Sequence, residues 1–446
     1  MFRLHPILRL IYFLLRIFAW LSGHLFYRRY RVLGRENLPH FQGPAIVISN
    51  HPSTLMDVLN VGLLVPKVMF FLANYGLFKN PISNWILTRL YCIPVKRKED
   101  VAEGDARNND SAFEKSFQHL EKQGVLFIAP EGYSYMNRWV REFKTGSARI
   151  AFGTESRNDW QLGLKIYPVG LSYSAANLFR SEVVINFGEP VAVQDWAGAF
   201  TEHRDRAVDA LTAELQQRVT DLTVQTRDET GEEFITQLET ILANARPLPQ
   251  EAAFRRSQAL AAQYLDDAAL RSEVTSYFTD LQAANLEDAG IEETLATSSA
   301  TQSFRAVFLL VLGAPFFVLG YSFWALPFFL PWLLAKRLHL YVGYDSTLKV
   351  LAGAIVVPLW LWGAFRLIRH FSGDTGLALL ALLGFLALAW LVEGYRDVFQ
   401  RFLQKQRVVF FAKKQPGRWT AVLEKRRTIL QAIPEKIESL PGKVPV

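Results

Sequence analysis

The sequence predicts an α/β domain around a largely buried sheet, then a helical region, then C-terminal membrane helices. Three observations carry this. Over residues 44–190 short β-rich runs alternate with helix-compatible stretches, the pattern of a sheet covered by helices. Residues 200–300 are charged, alanine-rich and nearly free of Gly and Pro. From Phe304 three apolar blocks follow, against the requirement of about 17–25 apolar residues for one span.

The N-terminal stretch is an apolar run that Arg9 and Arg16 interrupt. Those two arginines are seven apart and share one helical face. The expectation is an amphipathic helix in the membrane interface, arginines at the headgroups, with a full span as the alternative. Strands are expected at Ala45–Ser49, Val68–Leu72, Tyr91–Val95, Val125–Ala129, Ile166–Gly170 and Val183–Phe187. Arg246-Pro-Leu-Pro249 marks a break in the helical region. Phe304–Ala335 contains Pro315, Pro327 and Pro331 and fits two short re-entrant halves. Val350–Phe365 and Gly376–Val392 fit a transmembrane hairpin turning near Ser372–Gly376.

Composition narrows the class. With 33 Phe, 11 Trp and 15 Tyr in 446 residues, this is no disordered chain. A single cysteine, Cys92, excludes an internal disulfide or a CxxC site, and its place in a strand predicts a buried, inert thiol. The formal charge is +7, unevenly spread. Residues 201–300 hold 19 acids and 8 bases, no lysine among them. Basic residues gather at Arg28–Arg35, at Lys96–Lys98 and after Arg396. Beside apolar segments they suggest attraction to anionic headgroups. A basic tail favours the cytoplasmic side, and an even number of crossings would keep the α/β domain there too. No Gly-x-Ser-x-Gly, P-loop, Gly-x-Gly-x-x-Gly or HExxH motif occurs, and no nucleic-acid recognition motif.

The chemistry concentrates at strand ends. Asn50-His51-Pro52 turns the chain after a strand. Open α/β sheets place ligand chemistry at such carboxyl ends. His51 there suits a general base. Asp57, expected in the first turn of the next helix, can accept the second ring N–H. The same pair also fits a loop histidine and a helix-start aspartate with no joint role. A second strand ends in Pro130-Glu131-Gly132, with Ser134, Arg138, Arg141 and Lys144 downstream. A third runs into Lys96-Arg97-Lys98. Arg and Lys gathered at loop starts suit a phosphate.

Taken in order, these blocks resemble the PlsC-like glycerolipid acyltransferase family, the lysophosphatidate and glycerol-3-phosphate acyltransferases. The matching residues are Asn50, His51 and Asp57; Arg97; Pro130, Glu131 and Gly132; and Ile166-Tyr-Pro168-Val169. Phe143, Lys144 and Gly146 fall at the family's spacing, and Phe187-Gly-Glu-Pro190 is similar to its closing strand and turn. The resemblance covers residues 30–195. Two departures stand out. Five residues, not four, separate His51 from Asp57, and Ser134 falls one place early. Both look more like the fungal-type glycerol-3-phosphate/dihydroxyacetone-phosphate branch, which also carries membrane segments after its catalytic domain.

The resemblance implies a PlsC-like domain with a central mixed sheet flanked by helices. It implies direct acyl transfer from a thioester to an acceptor hydroxyl, with His51 as base and Asp57 orienting it. Arg97 and Lys144 would hold the acceptor phosphate. Glu131, in its turn with Gly132, would position a hydroxyl or a cation, and Ser134 would bond the glycerol moiety. No metal and no cofactor are expected. The acyl group would arrive on CoA or acyl carrier protein, and the partners would be membrane lipids, the thioester and a glycerol phosphate, with no nucleic acid. The expected divisions are an interfacial or membrane helix (1–30), an acyltransferase domain (31–200), an acidic helical region (201–300), a transmembrane region (301–395) and a basic cytoplasmic tail (396–446). The catalytic domain of this integral membrane protein would face the cytoplasm. A membrane-anchored lipid-binding scaffold without activity is the rival.

Overall fold

The structure, a computed structural model, describes residues 6–38, 43–89, 91–97, 109–296, 300–338, 341–434 and 437. The chain forms two compact units. One comprises residues 1–228 with Tyr341–Thr347, the other residues 229–340 and 348–446.

The first unit opens with α1 (Pro6–Phe26) and β1 (Arg29–Leu33). There follow β2 (Ala45–Ser49), α2 (Leu55–Leu64), β3 (Met69–Asn74), α3 (Pro81–Arg89), β4 (Cys92–Val95) and α4 (Asp110–Glu121). Then come β5 (Val125–Ile128), α5 (Gly146–Ser156), β6 (Lys165–Tyr173), β7 (Glu182–Phe187), β8 (Val191–Ala192), α6 (Ala197–Glu202) and α7 (Arg204–Asp221). The strands form one mixed sheet in the order β1-β7-β6-β2-β5-β3-β4, with β8 on β6. From β6 to β4 the neighbours are all parallel. Their carboxyl ends therefore share one edge.

Central strands are apolar on both faces because both faces are covered. Every residue of β2 and β5 is buried. Ile46, Ile48, Leu126, Ile128 and Ile166 pack with side chains of α4, α5 and α7. The alternate residues Val47, Phe127 and Tyr167 are equally buried, as the period of two requires. Leu211, Leu215 and Val219 of α7 belong to this core, so the sheet unit extends to Asp228 rather than ending at residue 200.

On α1, the Arg16 guanidinium donates to the carbonyls of Leu63 (2.7 Å) and Val65 (2.7 Å). These lie at the carboxyl end of α2, where carbonyls lack helical partners and a cation is favoured. Arg16 therefore caps a helix instead of reaching for headgroups. The Arg9 side chain lies outside the described residues. Phe13, Ile17, Trp20 and Leu21 leave an apolar face of α1 exposed. Arg29 to Leu33, in the stretch expected to face headgroups, is an edge strand parallel to β7.

The second unit contains α8 (Glu229–Ala245), α9 (Gln250–Tyr264), α10 (Ala268–Ala283), α11 (Asp288–Ala296), α12 (Ala300–Leu338), the body of α13 (Asp345–Ser372), α14 (Thr375–Lys414) and α15 (Pro416–Ala432). The break at Arg246–Pro249 separates α8 from α9. Among the described residues three helices are long and apolar enough to cross a membrane: Phe304–Leu338, Val342–Ser372 and Thr375–Lys414. The first corrects the expectation of two re-entrant halves, since α12 runs unbroken through Pro315, Pro327 and Pro331. Each proline removes one donor, and the helix continues around it. Asp374 accepts from the amides of Gly376 and Leu377 and starts α14.

The opposite charges of the acidic stretch and the basic tail meet within this unit. Arg426 on α15 pairs with Asp288 (2.8 Å) and Glu292 (2.8 Å), and Lys425 pairs with Asp280 (2.6 Å). These tail cations are therefore engaged by protein carboxylates rather than lipid.

Candidate active site

The carboxyl edge of the sheet delivers the site. Asn50 follows β2, and its amide bonds Leu171 of β6 twice, accepting from its N–H (2.8 Å) and donating to its C=O (2.8 Å). This side chain extends the β2–β6 ladder one step beyond the last strand residue and fixes where the turn begins.

His51 follows. Its Nδ1 lies 2.9 Å from Asp57 Oδ2, close enough for a charge pair, though not aimed as a hydrogen bond. Such contacts often align fully only with substrate bound. Asp57 is fully buried in the first turn of α2, where the helix N-terminus favours a negative charge. Its Oδ2 accepts from the Ser53 amide (2.7 Å) and its Oδ1 from the Tyr173 hydroxyl (2.7 Å). Between them stands Thr54, whose φ of 47° and ψ of −118° lie where β-branched residues are genuine outliers. That kink lets Asp57 reach back to His51.

Glu131 is buried after β5. Its carboxylate accepts from the His51 amide (3.2 Å) and, more distantly, from the Arg141 amide (3.4 Å). The Tyr135 amide donates to the His51 carbonyl (3.1 Å), and the Thr54 amide to Ser134 Oγ (3.3 Å). The Glu131 and Ser134 side chains and the Tyr135 amide thus join the two loops. Burial pushes the Glu131 carboxyl up from 4.5 to about 7, against the lowering effect of the Arg141 amide bond and of His51.

The cations converge beside this loop. Arg97 lies 4.4 Å from the Tyr133 ring centre and Lys144 Nζ 4.7 Å from the same ring. Gly132 has a φ of +80°, and a Cβ there would stand 2.6 Å from Lys144 Nζ. The glycine supplies both the turn and the room for the ammonium. The Lys144 amide donates to the Pro130 carbonyl (2.9 Å), fixing this segment to the turn. Arg141 stacks on Trp139 (4.1 Å) and Tyr135 (4.7 Å). A small cleft lined by Asn50, Pro52, Arg138, Trp139 and Tyr173 opens alongside.

All seven residues expected at the site fall on this edge: His51, Asp57, Arg97, Glu131, Gly132, Ser134 and Lys144. Lys98 lies outside the described residues. Three participants escape motif reading. Tyr173 bonds Asp57, Asn60 donates to Tyr173 (3.1 Å), and Tyr133 gathers Arg97 and Lys144. Tyr173 is fully buried, which holds its hydroxyl protonated far above the ordinary range. Asn60 stands one helical turn beyond Asp57, a spacing that shares a face. Tyr173 sits at the end of the strand that pairs with the histidine strand. These were the available signals. His119 is stacked on Phe70 at 3.8 Å, and burial lowers its pKa to about 4, so it is a neutral packing residue. Cys92 is half-buried in β4, its thiol pushed up to about 11. Among the described residues no three His, Cys, Asp or Glu side chains gather to hold a metal ion.

Residues 13–172 match the family model described as Acyltransferase. The chain is 28% identical over 178 residues to a chloroplastic 1-acyl-sn-glycerol-3-phosphate acyltransferase of Arabidopsis thaliana, covering 40% of this chain and 45% of that one. It is 35% identical over 86 residues to glycerol-3-phosphate O-acyltransferase 2 of Saccharomyces cerevisiae, covering 19% of this chain and 11% of that one. The match thus spans less than half the length of either relative. Among solved structures, the PlsC 1-acyl-sn-glycerophosphate acyltransferase of Thermotoga maritima aligns with a TM-score of 0.33 at 20% identity, covering 46% of this chain and 77% of that one.

Proposed function

We propose that the chain, whose residues 13–172 match the Acyltransferase model, is a PlsC-like, membrane-bound O-acyltransferase of phospholipid synthesis, moving a fatty acyl group from a thioester to glycerol-3-phosphate or dihydroxyacetone phosphate; the glycerolipid acyltransferases among its relatives support this reading. One observation carries this: a histidine–aspartate pair at a strand end, joined through Glu131 to a loop where Arg97 and Lys144 meet on Tyr133.

A hydroxyl is a poor nucleophile at neutral pH, so its proton must leave as it attacks. Asp57 faces Nδ1 of His51 at 2.9 Å, which leaves Nε2 to take that proton. The imidazolium formed is stabilised by the carboxylate behind it. The hydroxyl oxygen bonds to the thioester carbonyl carbon, and the tetrahedral intermediate expels the thiolate, which takes the proton from Nε2. No acyl-enzyme is needed. Backbone N–H groups at the turns would stabilise the oxyanion. Arg97 and Lys144 bind the acceptor phosphate. Glu131, with both oxygens accepting from backbone amides, sets the His51 backbone rather than touching substrate. Membrane anchoring suits an apolar donor and product, since exposing a chain to water costs about 0.8 kcal/mol per CH₂. The catalytic domain would face the cytoplasm.

The altered His–Asp spacing and the yeast match support an unacylated acceptor. The longer match to the plant enzyme favours a second reading, transfer to 1-acylglycerol-3-phosphate. Membranes containing the protein, given labelled acyl-CoA or acyl carrier protein with each acceptor in parallel, separate the two. Label on the unacylated phosphates supports the first reading. Label only on the 1-acyl phosphate replaces it with the second, and no transfer at all favours the inactive scaffold.

A further inference from the structure

The turn carrying His51 and Asp57 is tied to a segment 289–293 residues away in sequence. Tyr341–Thr347, a short 3-10 turn (Val342–Tyr344) running into the first turn of α13, belongs to the catalytic unit although it opens an apolar helix. Ser53 Oγ contacts Ser346 Oγ at 2.9 Å. Thr54 Oγ1 donates to the Gly343 carbonyl at 3.2 Å and meets Thr347 Oγ1 at 3.0 Å. Ser346 and Thr347 are buried, as are Ser53 and Thr54. Gly343 is also buried, and a Cβ there would stand 3.6 Å from Ser134 Oγ, the group that accepts from the Thr54 amide.

These contacts fall on two sensitive residues. Ser53 gives its amide to Asp57 Oδ2, the oxygen facing His51. Thr54 holds the kink that lets Asp57 reach back. An outlier conformation in a β-branched residue persists only where its surroundings over-determine it, and here the 341–347 segment supplies two of the three side-chain contacts at Thr54.

We propose that Tyr341–Thr347 is a positioning segment of the active site: through Ser346, Thr347 and the Gly343 carbonyl it fixes Ser53 and Thr54, and thereby the alignment of Asp57 with His51. This rests on the acyltransferase reading above. It makes the start of an apolar helix a working part of the catalytic turn.

The test uses the full chain in membranes. Ser346→Ala with Thr347→Val removes both hydroxyls while nearly keeping their volume. The expected result is a kcat reduced about tenfold or more, with KM for thioester and acceptor unchanged within about twofold. Thr347→Ser alone, which keeps its hydroxyl, should retain activity. Amide hydrogen exchange is read in parallel, because it does not depend on activity. It should accelerate in a peptide covering residues 51–57 and stay unchanged in β5. If exchange rises throughout, Thr347→Val alone is read instead. Wild-type kcat in the double variant, or unchanged exchange over 51–57, overturns the proposal. If the wild type transfers no acyl group, the function reading fails and exchange alone decides the positioning role.

Discussion

Asp57 meets the His51 ring, the Ser53 amide and the Tyr173 hydroxyl at once while fully buried. A buried carboxylate is tolerated when donors surround it, and this set also aims one oxygen at His51. Asp57→Asn keeps the shape but removes the charge that stabilises the imidazolium, so kcat should fall about a hundredfold, measured by steady-state acyl transfer. Arg97→Ala should chiefly raise KM for the acceptor; an unchanged acceptor KM would reject its phosphate role. Glu131 makes a prediction about pH. Its carboxyl titrates near 7 when folded and near 4.5 when exposed. Between those values the folded state binds more protons than the unfolded, so stability falls as pH rises through the window. Glu131→Gln removes that titration, and its unfolding temperature should vary less than wild type between about pH 5 and about pH 8. At this scale the motif residues were legible because chemistry restricts them to few residue types. Tyr173, Asn60 and Tyr133 were not, since a tyrosine or asparagine near a strand or on a helix has many ordinary uses.

Elements bring these residues together. The parallel strands β2, β5 and β6 were legible as apolar runs because both their faces are buried, as were β3 and β4, which are half-buried but carry the same apolar run. β1 was not: Arg29-Tyr-Arg-Val-Leu33 carries two arginines in five residues and lies at the sheet edge, where one flank needs no partner. The basic charge there was read as a headgroup patch. Arg16 misled in the same way, because nothing local distinguishes a cation at a lipid surface from one at a helix end 46–49 residues on. Arg16→Ala should lower stability by about 1 kcal/mol, through loss of the α2 cap, in urea or thermal unfolding. Arg426 is a harsher case. It is 5% exposed and pairs with the fully buried side chain of Asp288, so Arg426→Ala should cost about 3–5 kcal/mol by leaving a carboxylate uncompensated. A variant as stable as wild type would show that these charges are not coupled. The acid-rich stretch and the basic tail were visible in composition, but their pairing was not, because sequence carries no record of which distant charges meet.

At the scale of the molecule, three helices among the described residues satisfy the length and apolarity of a span, so extraction from membranes should require detergent. The cytoplasmic placement of the catalytic domain can be checked because Cys92 is the chain's one cysteine. In a Cys92→Ser background, Ser156→Cys places a thiol on an exposed position of α5. An impermeant maleimide should label it in inverted vesicles and not in intact cells. The α/β character and the long apolar helices were legible at this scale because each depends on long stretches of composition. The assignment of Tyr341–Thr347 to the catalytic unit was not, since the first turn of an apolar helix carries no local sign of which distant residues it meets. Every step of the proposed chemistry passes through His51. The most direct measurement is kcat for acyl transfer by the His51→Ala protein in membranes, against wild type at equal folded amount. The account predicts a loss of about a hundredfold or more. Turnover near wild type in a folded His51→Ala protein would contradict it.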